Sequence, residues 1–342
     1  MKNFLLLCLF SFCVSCASFK QKDEKRFLSV LTFNVENLFD AEHALGKLDY
    51  TYLPLSVKRS TLKQSVERYC AGVKNPQWRK ECRELNWDEK RLKNKLFRIS
   101  RVIEESTTGC PDVVILQEVE NEKILKRLNS YLSCGYTSLM LSDDSDARGI
   151  DVAVLSRFEI RSSKTHVIPF KGISAEEKKD TRSLLEVELS IGGYALRVLA
   201  LHLPAPFHPA RYRKDAIDFV ESLYFKDPIA TVVAGDWNVT EKESSDKKPF
   251  SKLRKSFFIS DDIVRASSSA RGTSYYPKDK TWSFLDKIAM SRNSFDSVEC
   301  RVVNEMPGQR DLKTGAPLSF PLFGKLSEGI SDHFPVLCKA SY

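Results

Sequence analysis

Several apolar, β-branched runs in this sequence end on a side chain able to bind a cation or move a proton. Val113 to Leu116 stops at Gln117 and Glu118, Val232 to Gly235 at Asp236, Trp237 and Asn238, Val198 to Leu201 at His202, and Val30 to Phe33 at Asn34. Ser331, Asp332 and His333 stand in mirror image, just before the run Phe334 to Leu337. Taken singly, a carboxylate at a strand end is an ordinary cap or turn residue, and a histidine there usually packs. Several such ends in a layered fold line one rim, where ligands bind beside strand termini. Oxygen ligands without cysteine suit Mg²⁺, with Mn²⁺ or Ca²⁺ as alternatives. Phosphodiester hydrolysis needs charge stabilisation at nonbridging oxygens, an activated water and a protonated leaving group. Carboxylates, amides and two histidines supply those parts. The chain has neither a G-x-S-x-G elbow nor a P-loop, so acyl-transfer and nucleotide-binding readings lose their usual signatures.

The elements that must carry these residues are mixed. Period-two or continuous apolar runs predict strands over 28–35, 112–117, 151–155, 184–189, 196–201, 229–234, 282–290, 298–303 and 334–339. Helical spacing predicts helices through Leu92, Leu96, Ile99 and Ile103, after Asn121, and from Ala210 to Leu223. Several strands follow one another across short turns such as Gly192-Gly193, which favours mixed α/β layers over a strict βαβ repeat. No Pro/Gly/Ser-rich linker divides the chain. Two segments read as insertions: Leu45 to Asn86, basic and bracketed by Cys70 and Cys82, and Glu241 to Ser269, rich in Lys and Ser and expected as surface loops around one short helix.

In order, Thr32 to Asp40, Leu116-Gln117-Glu118-Val119, Gly149 to Val154, Leu201-His202, Gly235-Asp236-Trp237-Asn238 and Ser331-Asp332-His333 resemble the successive motifs of the endonuclease/exonuclease/phosphatase (DNase I-like) superfamily. The resemblance spans Ser29 to Cys338 and implies a four-layer α/β/β/α sandwich, with the catalytic domain over 28–342 and a basic insertion at about 45–86. It implies Glu118 as principal ligand of a divalent metal, assisted by Asn34 and Asp332. Asp236 would position or deprotonate the attacking water, and Asn238 would hold it. His333, oriented by Asp286, and His202 would bind the phosphate and exchange protons. Arg182 matches a phosphate contact, and Asp151 is a candidate orienter of His202. His43, His166 and His208 match no motif and read as surface or packing residues.

The 342 residues are 42% hydrophobic and 29% charged, which allows a sizeable core and argues against general disorder. A net charge of +8 suits polyanionic partners, nucleic acid or anionic lipid headgroups, although a merely solvated basic surface has the same signature. At the start, Lys2 and the apolar run Phe4 to Val14 read as an export signal too short to span a bilayer permanently. Val14-Ser15-Cys16-Ala17 resembles a bacterial lipoprotein cleavage site. It implies a signal segment 1–16, a lipid on Cys16 as membrane anchor, a linker 17–27 and a location at the cell envelope. Cleavage after Ala17, giving a periplasmic or secreted protein, is the alternative.

Six cysteines remain beyond the signal, and in an oxidising compartment disulfides are expected. Cys70 with Cys82 and Cys300 with Cys338 are the pairings the sequence suggests, among fifteen connectivities. The leading expectation is an exported, metal-dependent nuclease cleaving DNA or RNA, monomeric in its simplest form. Tyr275, Tyr276 and Trp282 beside Arg271, Lys278 and Lys280 are candidates for base stacking and phosphate contact. A sphingomyelinase-like or inositol-phosphate-type phosphoesterase would use the same site. A non-catalytic adhesin on this fold would be expected to show broken motifs, and none is visible.

Overall fold

A computed structural model describes residues 26–143, 146–174, 177, 181–268 and 270–342. The signal segment, the lipidation site and most of the linker lie outside them. Fourteen strands among the described residues form two six-stranded sheets and a small hairpin. The first sheet runs β13 (Ser297–Val302), β14 (Val336–Ser341), β1 (Phe27–Leu38), β2 (Val113–Val119), β4 (Asp151–Ser156), β3 (Ser138–Leu141). The second runs β5 (Glu159–His166), β6 (Leu184–Ile191), β7 (Tyr194–His202), β8 (Thr231–Asp236), β12 (Asp286–Ser291), β9 (Phe257–Ile259). The hairpin pairs β10 (Ser274–Tyr276) with β11 (Thr281–Ser283).

Strand alternation explains the layering. In β1 and β2, Val30, Val113 and Ile115 face the other sheet and pack with Val187, Val198, Ala200 and Val232. The intervening Leu31, Phe33, Val114 and Leu116 face outward onto Leu92, Leu96 and Ile99 of helix α4 (Glu89–Glu105) and Leu125 of α5 (Glu122–Asn129). On the far side, Leu199, Leu201 and Val233 meet Ile217 and Val220 of α6 (Ala210–Lys226). Three apolar seams between four layers result, the expected α/β/β/α sandwich. Local signals start its helices: Asp88 accepts from Arg91 N (2.9 Å) ahead of α4, and Asn121 from Ile124 N (2.9 Å) ahead of α5.

The three disulfides are Cys70–Cys82, Cys110–Cys134 and Cys300–Cys338. The last joins directly opposed residues of β13 and β14. Both pairings suggested by the sequence are made. The basic insertion folds into α1 (Leu55–Arg59), α2 (Lys63–Gly72) and α3 (Pro76–Glu84), with its own small core of Val66, Cys70 and Cys82.

Two expectations change. The strand 282–290 is two strands, because Thr273 Oγ1 accepts from Leu285 N (3.0 Å) and Asp286 N (3.1 Å) and interrupts the ladder. The region 241–268 is more ordered than surface loops: α7 (Glu241–Lys247) and α8 (Leu253–Ser256) lead to β9, whose buried Phe257 and Ile259 extend the second sheet, and α9 (Ser260–Ser267) follows. No described helix is long and apolar enough to cross a membrane.

Candidate active site

The cleft is built from strand ends that both sheets present on the same side. On β1 and β2 the ladder breaks where the chemistry begins: pairing skips between Asn34 and Leu38, and between Gln117 and Val119. Within the breaks, Glu36, Asn37 and Glu118 take left-handed backbone angles, φ 53°, 58° and 66°. Such conformations are costly for non-glycine residues and cluster at functional sites, and a break of this kind re-aims a side chain. Here it turns Glu118 into the cleft, where its Oε2 accepts from Asn37 N at 2.8 Å.

The second sheet sets three groups in a row. Register places Asp286 of β12 opposite Asp236 of β8, and Asp236 beside His202 of β7. The close passage of β8 past β7 requires Gly235, since a Cβ there would lie 1.9 Å from the Leu201 carbonyl oxygen. Asp236 Oδ1 accepts from Asn238 N at 2.9 Å, while Oδ2 lies 3.5 Å from His202 Nε2. Asn238, also left-handed at φ 52°, donates its amide to the Leu203 carbonyl at 2.9 Å.

The segment Ser331–His333 closes the circle. Ser331 Oγ donates to the Asn34 carbonyl (2.7 Å) and accepts from His333 N (3.1 Å). His333 Nδ1 then reaches Asp286 Oδ2 at 2.8 Å. Asn34 joins the two halves, its Nδ2 lying 3.2 Å from Asp236 Oδ2 and 3.4 Å from Glu118 Oε1.

Electrostatics separate the two histidines. Burial, with the charges of Arg182, His333 and Arg148, pushes His202 well below its ordinary value. Burial also works against a proton on His333, but Asp286, Asp332 and Asp236 together hold it well above. One ring is therefore neutral and the other cationic at neutral pH, the division of labour an acid–base pair needs. Burial and the adjacent Asp286 push Asp236 up to about 7, against the pull of His333.

Glu118 and Asp332 load the opposite rim with negative charge. Asp332 faces solvent but is ringed by protein, and that desolvation and Glu118 raise it, against His333 and Lys95. Glu36 behind them is raised to about 8 by burial and by Asp332. Hard oxygens that repel one another at an open rim fit a divalent cation. Asp236, Asp286 and His333 also bring one ligand-type atom each within 4.8 Å of one another. His333 Nδ1 already bonds Asp286, which leaves its Nε2 as the ring nitrogen turned to a proton or a ligand.

Arg182 is buried, 3.4 Å from Asp146 through Nη2, with its Nε unpartnered. The orienting bond expected from Asp151 to His202 is not made to the ring's free nitrogen: His202 Nδ1 has no partner, and Asp151 bonds Ser142 Oγ at 3.3 Å. Four residues escaped the sequence reading. Glu36 and Lys95 form a pair 3.9 Å apart behind the rim. Asp146 positions the 146–149 turn through Arg148 N (2.9 Å) and Gly149 N (3.1 Å). Arg148, on that turn, is exposed, and Glu118 favours its charge against the cost of desolvation. The Arg-Gly-Ile-Asp run was the one available signal for Arg148. Of the histidines that match no motif, His43 pairs with Asp49, and His166 lies 2.6 Å from Glu186.

The chain is structurally similar to truncated TDP2 of Caenorhabditis elegans, with a TM-score of 0.58 at 14% identity over 92% of this chain and 98% of that one. It is also similar to an endonuclease/exonuclease/phosphatase family protein from Bacteroides thetaiotaomicron (TM-score 0.56, 15% identity, 93% and 99% covered). A third likeness is to the corresponding Bacteroides vulgatus protein (0.54, 15%, 92% and 99%). At these identities the likeness shows the shared fold. No curated protein matches the sequence significantly. The sequence model of the Endonuclease/Exonuclease/phosphatase family matches residues 72–341. With most of its length so matched, the chain belongs to the endonuclease/exonuclease/phosphatase family.

Proposed function

We propose that this phosphoester hydrolase is an exported nuclease that cleaves DNA or RNA phosphodiesters by metal-assisted attack of water. The observation that carries the reading is the Asn34 amide within reach of both Glu118 and Asp236, which joins a metal-type rim to a proton-handling row. Glu118, Asp332 and Asn34 would hold a divalent ion, Mg²⁺ in the simplest case, which would supply positive charge to the phosphate oxygens. Asp236, carrying a raised pKa, takes a proton from the attacking water, and Asn238 fixes the Asp236 carboxylate through its backbone N–H. Cationic His333, held by Asp286, donates toward the departing oxygen. Neutral His202 offers the phosphate its Nε2, the nitrogen 3.5 Å from Asp236 Oδ2, and Arg182 and Arg148 add charge.

Nucleic acid is favoured by what surrounds the cleft. The insertion exposes Arg59, Lys63, Arg68, Lys74, Lys80 and Arg83. Its foot is tied to the turn carrying Arg148, by Leu48 N to the Ala147 carbonyl (2.8 Å) and Lys47 Nζ to the Asp146 carbonyl (3.0 Å). The β10–β11 hairpin, bridged to His333 through Ser274, leaves Tyr276 exposed, while Trp282 packs between Tyr275, Phe334 and Arg271. A basic wall with an aromatic beside the reacting centre suits a phosphate backbone and its bases. Three disulfides support an oxidising compartment and hence export. Lipidation at Cys16 as the anchor is tested by the mass of the mature N-terminus.

The experiment is a substrate panel with Mg²⁺: plasmid DNA, RNA and phospholipid vesicles offered to the purified mature protein. Nicked or shortened nucleic acid, abolished by chelator, is expected. Lipid turnover with intact nucleic acid would replace this reading by the phospholipid one.

A further inference from the structure

One face of α4 is basic toward the inside of the protein. Arg91, Lys95 and Arg98 follow at i, i+4 and i+7, so they share a face, and each grips backbone carbonyls of the strap 320–331 that leads into Asp332 and His333. Arg91 holds the Pro321 carbonyl; Arg98 holds those of Gly329 and Leu326, the latter at 2.7 Å. Lys95 holds the Ile330 carbonyl at 2.8 Å, two residues before Asp332.

Lys95 differs from its neighbours in place and company. Its side chain is fully buried, whereas Arg91 and Arg98 are half-buried. Its Nζ lies 3.9 Å from Glu36 Oε2 and 4.7 Å from the Phe320 ring centre. Glu36 Oε2 in turn accepts from Phe320 N at 2.7 Å, so one ammonium ties the end of β1 to both ends of the strap. A buried ammonium is costly unless fixed negative charge compensates it. Burial lowers Lys95 to about 8, and the opposing carboxylates extend past Glu36 to Asp332 and Glu118.

We infer that Lys95 is an internal counter-cation of the metal rim: its ammonium holds the strap and β1 together beneath Glu118 and Asp332 and weakens their affinity for a divalent ion. This rests on the proposed metal rim. Without an ion, the lysine offsets repulsion between the rim carboxylates and keeps the strap in place. When an ion enters, the same fixed charge opposes it. Lys95 is thus a positioning residue with an electrostatic signature that a purely structural lysine lacks.

The test is Mn²⁺ binding to the metal-free mature protein by titration calorimetry, on wild type, Lys95→Met, Lys95→Arg and Arg98→Met. Removing a buried unit charge that acts on both rim carboxylates tightens binding of a dication there by about tenfold. Lys95→Met should show that gain, while Lys95→Arg, which keeps the charge, and Arg98→Met, which loses two strap contacts and a half-buried, outlying charge, stay within about twofold of wild type by the same reasoning. Should Lys95→Met not fold alone, the comparison is made between Glu36→Gln and Glu36→Gln/Lys95→Met, where no buried carboxylate is left unpaired. A folded Lys95→Met with wild-type affinity overturns the inference. Equal tightening in Arg98→Met overturns it too, since strap loosening would then be the cause. Absence of Mn²⁺ binding in every variant would overturn the metal rim itself, and Lys95's role with it.

Discussion

Asn34 Nδ2 lies 3.2 Å from Asp236 Oδ2, a hydrogen bond between residues of different sheets and 202 positions apart. It couples the carboxylate proposed to handle water to the rim proposed to hold the ion. Burial and Asp286 already push Asp236 up to about 7. Below that pH the carboxyl holds its proton and accepts none from water, so kcat/KM should fall on the acid side of about 7. Replacing Asn34 by Asp removes the donated hydrogen bond and adds a like charge, both raising Asp236 further. The acid limb should move to higher pH in Asn34→Asp; an unmoved limb in a pH–rate profile would remove Asp236 as the group responsible.

His333 and Asp286 should fail as one unit. His333→Ala and Asp286→Asn each disturb one donor, so each should lower kcat by about 10²–10⁴ while KM changes little. The double variant should cost scarcely more than either single one, because Asp286 acts through the ring it orients. Strictly additive losses in steady-state kinetics would show that Asp286 acts elsewhere.

If the insertion guides a phosphate backbone, its charge is felt in binding and not in turnover. Neutralising Lys63, Lys74 and Lys80 together, all exposed, should raise KM for a long polynucleotide and flatten the dependence of binding on salt by about three contacts' worth of slope. Hydrolysis of a small aryl phosphodiester should be unchanged. Filter binding across salt concentrations gives the slope directly.

Glu120 supplies a stability test away from the chemistry. Burial pushes it up to about 9, and its Oε1 has no partner. The folded state thus binds a proton that the unfolded chain releases near its ordinary value of 4.5. Stability from this group is fully present below 4.5 and is lost as pH rises toward 9. Glu120→Gln carries no such charge, so its melting temperature should gain on wild type steadily from pH 5 to pH 8. A constant difference across that range would refute the assignment.

The sequence reading located the strand ends because each motif is local: an apolar run followed by a polar stop names both the strand and its terminal side chain. Glu118, Asp236, His202 and His333 were legible for that reason, as was the Cys300–Cys338 pairing of two late strands. Lys95 was not, because on a helix of alternating lysines and apolar residues it reads as one more solvated charge. Its partner is the Ile330 carbonyl, 235 residues away. Glu36 was hidden because the left-handed break in β1 reverses the facing that alternation predicts. Register sets Asp236 beside His202, a neighbour that the motif order alone did not name.

A cation at the open oxygen rim leaves the Asp236–Asp286–His333 row free for protons. Anomalous diffraction from crystals soaked in Mn²⁺ locates the ion directly. A single strong peak bounded by Glu118, Asp332 and Asn34 is the predicted result. A peak coordinated by Asp236, Asp286 and His333, or none in the cleft at saturating Mn²⁺, would contradict it.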